Sequence, residues 1–215
     1  MQNVTPEMLI WFFKHLDCYT RFNPYLNDFS GPEISVYQLW HLRDHIAIHH
    51  GKPGEDMDSA ISLGSKFSIE ETLLQKHPIA ATSLVYDLYY DFANGSRIGG
   101  GSAPNGTNGF ETNKGNFGFW LIGPAGIKLG FIDHYFQVID ENTRTLAFQT
   151  RFVVGRPNAW LLNKIAHKKA SVALMKDWIL HNVEESGQTD KIVPVLYHNQ
   201  DRVLRKSCIT KRAVR

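Results

Sequence analysis

Hydrophobic and polar side chains alternate over much of the middle of this chain. In residues 63–73, the side chains of Phe67, Ile69 and Glu71 fall on one side of an extended segment. Residues 84–92 repeat the pattern with one alternating face made of Leu84, Tyr86, Leu88, Tyr90 and Phe92. Further segments alternate in the same way at residues 117–122, 129–139 and 146–154. A period of two is that of a β-strand, so the pattern predicts consecutive strands without intervening helices, as in an antiparallel sheet.

Helical patterns flank these strands. Residues 6–16 are typical of a helix, with Thr5 as its N-cap, Pro6 in the first turn and Glu7 near the positive end of the dipole. We expect this helix to lie on the surface. A longer amphipathic helix is predicted from about residue 158 to about residue 185. Helices segregated from the strands predict an α+β fold, in which a curved antiparallel sheet wraps around the long C-terminal helix and leaves a helix-grip cavity.

Length and composition predict one globular domain. The 215 residues, 43% of them hydrophobic, suffice for a single domain spanning residues 1–215. The formal charge is only +2, and basic residues concentrate in a tail from about residue 200 to 215, so nucleic-acid binding is not expected. Cys18 and Cys208 lie far apart, which favours a reducing compartment. Neither a signal peptide nor a membrane span is evident, and we therefore expect a cytoplasmic protein.

The segment from residue 94 to 116 is rich in Gly, Asn, Ser and Thr. Its glycines are not followed by the Gly-Lys-Ser/Thr of a phosphate-binding loop. The composition predicts a long, flexible hairpin loop. Such a loop either closes over a ligand as a lid or is an ordinary connection, and both alternatives stay open.

Candidate chemistry is concentrated first in the long helix. His181 and Glu185 are four residues apart, so they share one helix face with Leu174 and Trp178. That face is the one that a helix turns toward a core. Nitrogen and oxygen ligands at this spacing suit a divalent metal such as zinc. The ordinary alternative is a histidine that interacts with the helix dipole and a glutamate that is solvated.

Other candidates are selected by their phase in the strands. Glu71 is in phase with the apolar face of its strand, whereas Glu70 points the other way. His134 is likewise in phase with apolar neighbours, and His41 and His45 lie in a run dense in histidines and apolar residues. The ordinary alternatives are an exposed glutamate at a strand end and a hydrogen-bonded core histidine.

Four short segments form an ordered set of motifs. They are Tyr37-Gln-Leu-Trp40-His41-Leu-Arg-Asp44-His45, Phe67-Ser-Ile-Glu-Glu71, Thr150-Arg-Phe-Val-Val-Gly155 and His181-Asn-Val-Glu-Glu185. This combination resembles the 2,4-diacetylphloroglucinol hydrolase and phloretin hydrolase family. The resemblance implies a START-like helix-grip fold and a zinc ion held by two histidines and two glutamates. It also implies hydrolysis of the carbon–carbon bond that joins an acyl group to a polyhydroxylated, acylphloroglucinol-like ring.

The resemblance assigns roles residue by residue. The zinc ligands fall on His41, Glu71, His181 and Glu185, with His45 as the rival for the first histidine. Asp44 falls where the family places a polar residue that contacts the substrate, and His134 resembles a strand histidine that donates a proton. With Tyr37 nearby, Asp44 is expected to bind phenolic hydroxyls. Leu42 stands where the family has a proline, which bears on the substrate more than on the metal.

The expected chemistry follows from this ligand set. Two neutral imidazoles and two carboxylates give a formally neutral zinc centre that lowers the pKa of water, so that hydroxide is available to attack the acyl carbonyl. Charge left on the ring spreads onto its phenolic oxygens, and an acid such as His134 supplies the proton. The partner is then a small aromatic ketone, and a homodimer is left open. The alternatives are a non-enzymatic helix-grip module that binds an aromatic or apolar ligand, and a zinc hydrolase of another polyketide-like or ester substrate.

Overall fold

The computed structural model describes residues 1–50, 60–101, 113–140, 145–155, 160, 163–164 and 171–204. They form a mixed α+β fold in which helices pack against a curved, unclosed and mostly antiparallel sheet. A long helix follows the strands near the C-terminal end. The predicted α+β class, with an antiparallel sheet and a long C-terminal helix, is confirmed.

The strands follow one another along the chain as the alternation predicted. They are β1 (Tyr19–Asn23), β2 (Asp28–Ser35), β3 (His45–His50), β4 (Lys66–Leu73), β5 (His77–Asp91), β6 (Arg97–Gly101), β7 (Lys114–Ile122), β8 (Lys128–Asp140) and β9 (Thr145–Val154). Strands β1 and β2 pair as a separate hairpin, which the sequence analysis missed. The others form one sheet in the order β3-β4-β5-β7-β8-β9, with β6 paired to β5.

Part of the predicted long loop is strand β6. Gly99 lies in this strand with a φ of +84°, and a Cβ atom there would lie 1.9 Å from the carbonyl oxygen of Leu88. Only glycine permits this close backbone approach, so the glycine-rich composition here serves strand pairing. The central part of the predicted loop or lid, residues 102–112, lies outside the described residues.

Strand β5 departs from the predicted alternating face because it contains a β-bulge. Its register against β7 shifts at Tyr86, which is the extra residue. Beyond the bulge, Leu88 and Tyr90 point into the core. Tyr86 lies on the opposite face of the sheet, where its hydroxyl donates to Asp133. The prediction of one unbroken alternating face from residue 84 to residue 92 is therefore wrong.

The first helix, α1 (Pro6–Lys14), begins as predicted. The Thr5 side chain accepts a hydrogen bond from the backbone N–H of Met8 at 3.4 Å. The expectation that α1 lies on the surface is wrong, since most of its side chains are buried. The helix packs against strands of the sheet, and Phe13 stacks on Phe117 with 4.6 Å between ring centroids. The apolar side chains of α1 therefore pack against neighbouring elements on more than one side of the helix.

Two more α-helices are described in full, besides the short 3-10 helices Pro124–Gly126 and Gln200–Arg202. The short α2 (Val36–Trp40) is capped by Ser35 and runs directly into the turn before β3. The long α3 (Val172–His198) begins after its N-cap Ser171, whereas the predicted start near residue 158 lies outside the described residues. The helix also continues well past the predicted end near residue 185, because one stripe of buried side chains persists. The stripe consists of His181, Glu185, Thr189, Ile192, Val193 and Leu196.

The C-terminal segment is tied to the N-terminal hairpin. Val203 is buried, and Leu204 pairs with Tyr19 in an isolated β-bridge. The first residues of the predicted basic tail thus belong to the fold, while residues 205–215, including Cys208, lie outside the described part. Among the helices that the structure describes, none has the length and apolar character needed to cross a membrane.

Candidate metal centre

Two histidines and two glutamates converge between the sheet and α3. The Nε2 atom of His45 lies 3.0 Å from Oε1 of Glu185 and 3.6 Å from Oε1 of Glu71. The Nε2 atom of His181 lies 3.4 Å from the same Glu185 oxygen. Ligand atoms of His45, Glu71 and His181 all lie within 4.8 Å of one another, so these groups could hold one metal ion. We call the four residues the His45 cluster.

Each half of the His45 cluster is held by one structural unit, a pair of strands or a single helix. His45 and Glu71 are paired across β3 and β4, and paired residues of neighbouring strands present their side chains on the same face. His181 and Glu185 stand one turn apart on the buried stripe of α3. The packing of α3 against β4 brings the two halves together.

His45 is oriented as a ligand would be. Its Nδ1 atom lies 2.7 Å from the carbonyl oxygen of Tyr37, which can only accept, so Nδ1 carries the ring proton. Nε2 then bears the lone pair, and this buried atom has no hydrogen-bond partner despite the nearby carboxylates. The ring also stacks on Tyr37 with centroids 3.9 Å apart. A buried, unpaired imidazole nitrogen beside two carboxylates fits a metal ion in the centre.

The electrostatics of the site favour positive charge at its centre. Burial alone would lower the pKa of His181, but Glu185, together with Glu71 and Asp44, outweighs it and raises the pKa of His181 to about 9. Burial alone would raise the pKa of Glu185, but the imidazoles of His181 and His45, 3.4 and 3.0 Å from its Oε1 atom, hold that pKa well below the ordinary value. Without a metal ion, a proton on the imidazole supplies this charge; a bound cation would displace that proton.

His41, the first choice for the strand-side histidine, lies outside the His45 cluster. Its ring stacks on His181 with 4.4 Å between centroids, and its Nε2 atom lies 2.8 Å from Oε2 of Glu184. The structure brings the rival His45 together with Glu71, His181 and Glu185 instead. The reason is the turn after α2, in which the N–H of His45 donates to the carbonyl of His41 and the chain then enters β3.

Asp44 does not lie where a substrate contact requires. Its side chain is fully buried and does not line the cavity described below. The Oδ2 atom lies 3.1 Å from Nδ1 of His181 and accepts from the backbone N–H of Leu74 at 2.7 Å. The Oδ1 atom accepts from Nε of Arg43 at 3.1 Å. Because protein groups occupy both oxygens, the expected contact to a phenolic hydroxyl is not supported.

The two neighbouring glutamates of β4 are separated as the strand phase predicted. Glu71 lines the cavity and accepts a hydrogen bond from the hydroxyl of Tyr37. The Glu70 side chain is 53% exposed and lies 3.6 Å from His49 on the other side of the strand. Glu71 is therefore the inward-facing carboxylate of this pair.

A cavity of about 280 Å³ adjoins the His45 cluster, between α3 and the concave face of the sheet. Its walls are largely apolar and include Trp40, Phe67, Phe117, Phe119, Phe152 and Trp178. The polar groups among its lining residues are Tyr37, Glu71, His134, His181, Asn182 and Glu185. An apolar pocket with a few convergent polar groups is the usual form of a small-molecule site.

His134 lies in this cavity wall, as its strand phase predicted, and is enclosed by aromatic rings. Phe148, Phe13 and Phe117 stack around it with centroids 5.7 to 6.0 Å away. Burial in these surroundings lowers the pKa of His134 to about 4, so the ring is neutral at pH 7. Its Nδ1 atom lies 3.0 Å from the hydroxyl of Thr150. The residue can therefore hold one proton at a fixed position but does not carry charge at neutral pH.

Two features of the site escaped the sequence analysis. Asn182 lines the cavity, although it was not singled out; its position four residues after Trp178 was the available signal. The second is the preference for His45 over His41, which requires the pairing of His45 with Glu71 in the sheet. The sequence pattern around His41 and His45 does not show which of the two lies opposite Glu71, because a turn lies between them.

No protein-family model matches the chain, and no curated protein or solved structure is significantly similar to it. The resemblance carried by the short motifs thus stays a prediction, and the candidate site is described by its own geometry.

Proposed function

We propose that the protein is a zinc-dependent hydrolase that cleaves the carbon–carbon bond between an acyl group and a polyhydroxylated aromatic ring. One observation carries the proposal: two buried imidazoles, the buried carboxylate of Glu185 and the partly buried carboxylate of Glu71 meet at the wall of an apolar, aromatic-lined cavity. We further propose that the sheet and α3 form a START-like helix grip. The ordered motifs of the sequence support both statements, and a small aromatic ketone is the proposed partner.

Zinc is the proposed ion because the donor set is mixed. Two imidazole nitrogens and two carboxylate oxygens suit zinc better than calcium or magnesium, which prefer oxygen ligands alone. The ligands would be His45, Glu71, His181 and Glu185, with His45 replacing His41 in the set expected from the sequence. When bound, such an ion acts as a Lewis acid on a carbonyl oxygen and lowers the pKa of water toward neutrality.

The cavity offers the surroundings that an acylated ring requires. An engineered cavity of about 150 Å³ holds benzene, so 280 Å³ accommodates a ring with substituents. The aromatic walls contact the ring faces and exclude water from the reacting carbon. Of the two residues expected to meet phenolic hydroxyls, Tyr37 lines the cavity and Asp44 does not. Tyr37 and Asn182 are therefore the proposed polar contacts to the ring substituents.

His134 is the proposed proton donor to the ring carbon. Burial keeps its imidazole neutral at pH 7, so the proton it donates is the single N–H of the neutral ring, and the imidazolate that this leaves takes a proton back from water. If the Thr150 hydroxyl donates to Nδ1, the proton resides on Nε2, which is the tautomer that this role requires. The aromatic rings around His134 hold it in one orientation.

The proposal is tested first by metal content and then by isotopes. Protein purified without a histidine tag is expected to contain about one zinc per chain. With an acylphloroglucinol in ¹⁸O-labelled water, the carboxylic acid product should acquire the label. In D₂O, one solvent deuteron should appear on the deacylated ring carbon. Intact substrate with zinc-loaded protein would contradict the proposed reaction.

Two further candidates are separated by the same measurements. The predominantly apolar lining also suits a protein that only carries an aromatic ligand. Tight ligand binding by protein that retains neither zinc nor turnover would favour that function. Hydrolysis of simple aryl esters without cleavage of acylphloroglucinols would instead indicate a zinc hydrolase of ester substrates.

A further inference from the structure

A second group of titratable side chains lies behind the His45 cluster. His41, Asp44 and His181 also present ligand atoms within 4.8 Å of one another. The two groups share His181, which faces Glu185 through Nε2 and Asp44 through Nδ1. We infer that Asp44 is a positioning residue: it fixes the tautomer and orientation of His181, and this second group supports the first site rather than holding an ion of its own. The inference rests on the metal site of the proposed function.

The contacts of Asp44 carry the first step. Its carboxylate is fully buried, and Oδ2 lies 3.1 Å from Nδ1 of His181. A carboxylate accepts and does not donate, so the proton of a neutral His181 resides on Nδ1 and the lone pair on Nε2. That lone pair points toward Glu185 and the centre of the His45 cluster. A carboxylate that holds a histidine in this way fixes its ring and raises its basicity as a ligand.

Asp44 also connects the two elements that carry the cluster. Its backbone carbonyl accepts from the N–H of Thr72 at 2.8 Å, and its Oδ2 atom accepts from the N–H of Leu74 at 2.7 Å. These donors lie one and three residues after Glu71 in the chain. One side chain therefore bonds the end of β4 and the imidazole of α3 together, which sets the distance between Glu71 and His181.

A cation already occupies the outer side of the second group. Arg43 donates from Nε to Oδ1 of Asp44 at 3.1 Å and from Nη2 to Oε2 of Glu184 at 2.6 Å. The same Glu184 oxygen lies 2.8 Å from Nε2 of His41. The guanidinium thus neutralises the carboxylates that a second metal ion would need. Of the two groups that the described residues form, only the His45 cluster is therefore inferred to hold a metal ion.

Two Asp44 variants test the inference by metal affinity. In Asp44→Asn, the amide oxygen can still accept from His181 and Leu74, but the charge is lost. In Asp44→Ala, both the charge and the acceptor are lost. The zinc dissociation constant, measured by competition with a chelator, should rise about 10- to 100-fold in Asp44→Ala and by less in Asp44→Asn. The absorption spectrum of the Co²⁺-loaded protein should shift in both variants, because the geometry or basicity of His181 changes.

A matched control and a stability measurement separate positioning from folding. Glu184→Gln alters the contacts of His41 and Arg43 but leaves the bond between Asp44 and His181, so its zinc affinity should stay within about threefold of wild type. Thermal unfolding of the metal-free proteins identifies the folded fraction of each variant. If folded Asp44→Asn and Asp44→Ala bind zinc within about threefold of wild type, Asp44 is structural only and the inference is overturned.

Wild-type stoichiometry distinguishes this failure from failure of the proposed function. Unchanged affinity in the variants, with one zinc bound per wild-type chain, removes the role of Asp44 and leaves the metal site intact. Two zinc ions per wild-type chain, one of which is lost in His41→Ala, would show that the second group is itself a site. Absence of zinc binding by the wild type would overturn both the metal site and its positioning residue.

Discussion

Carboxylates that are buried or partly buried lie on both faces of the sheet, and their surroundings differ. On the concave face, Glu71 and Glu185 meet two histidines beside the cavity. On the opposite face, Asp133 is fully buried one residue before His134, which points into the cavity. Successive residues of a strand point to opposite faces, so β8 contributes to both sites.

Protein donors alone satisfy Asp133. Its Oδ1 atom accepts from the hydroxyl of Tyr86 and from Nδ2 of Asn116 at 3.0 Å. Its Oδ2 atom accepts from the hydroxyl of Tyr135 at 3.1 Å and from Nη2 of Arg151 at 2.7 Å. A buried charge with this many fixed donors and one cation is typical of a structural network.

The His45 cluster has fewer fixed donors. The hydroxyl of Tyr37 donates to Glu71, but the carboxylates otherwise face imidazole nitrogens, and Nε2 of His45 has no hydrogen-bond partner. The comparison teaches that burial of a carboxylate does not identify a functional site. The distinguishing feature is a buried polar atom that the protein leaves unpaired next to a cavity, since an ion or ligand can then complete the arrangement.

The largest expected effect is the loss of the metal ion from the His45 cluster. His45→Ala should remove stoichiometric zinc and nearly all activity, because it deletes the ligand whose lone pair faces both carboxylates. His181→Ala should do the same. In His41→Ala, zinc affinity should fall less than about tenfold, the low end for residues that only support a ligand. Elemental analysis and chelator competition measure these losses; a full equivalent of metal in His45→Ala would refute this ligand assignment.

A second prediction concerns His134, which shares β8 with Asp133 but faces the cavity. His134→Ala should lower turnover of an acylphloroglucinol by about 10²- to 10⁴-fold while zinc stays bound, as expected for loss of a proton donor. His134→Phe, which keeps an aromatic ring among Phe13, Phe117 and Phe148, controls for packing. If His134→Phe turns over at the wild-type rate, the residue serves packing alone.

A third prediction concerns the opposite face. Asp133→Asn should lower the free energy of unfolding by about 3 kcal/mol, because Arg151 loses its charged partner and buried hydrogen bonds are rearranged. Zinc affinity of the folded variant should be unchanged. Asp91→Asn is the matched control, since Asp91 pairs with Arg97 at the surface and its loss should cost less than about 1 kcal/mol. Equal losses in urea unfolding of the two variants would contradict the structural role assigned to Asp133.

The smallest effect comes from Asp87, a neighbour of the Asp133 network. Burial raises the pKa of Asp87 to about 6, and one of its oxygens is buried without a hydrogen-bond partner. The folded state therefore binds a proton more tightly than the unfolded state, and this residue's contribution to stability falls as pH rises from about 4 to about 6. The Asp87→Asn variant has no carboxyl group to ionise at this position, so it should not lose this stability as the pH rises.

The stability that Asp87→Asn gains over wild type should depend on pH. Asp87→Asn should match wild type near pH 4 and be more stable at pH 7 by about 1–3 kcal/mol. Urea unfolding of both proteins across this range measures the difference. A difference that is constant with pH would show that Asp87 does not titrate in this way.

The sequence by itself determined those features that arise from neighbours along the chain. The Thr5 cap, the inward phase of Glu71 and His134, and the shared face of His181 and Glu185 all follow from fixed periods of strand and helix. The α+β class follows from the order of these periods. These local rules operate before any packing occurs, and each of these predictions is confirmed.

Only the tertiary structure decided how these local features meet. His45 stands opposite Glu71 because of strand register, Asp44 lies behind His181 because α3 packs near β4, and the bulge at Tyr86 reverses the face of β5. Each depends on contacts between residues far apart in sequence, whose free energies have no counterpart in a local pattern. The length of α3 was missed for the same reason, since the burial of its second half depends on the elements it contacts.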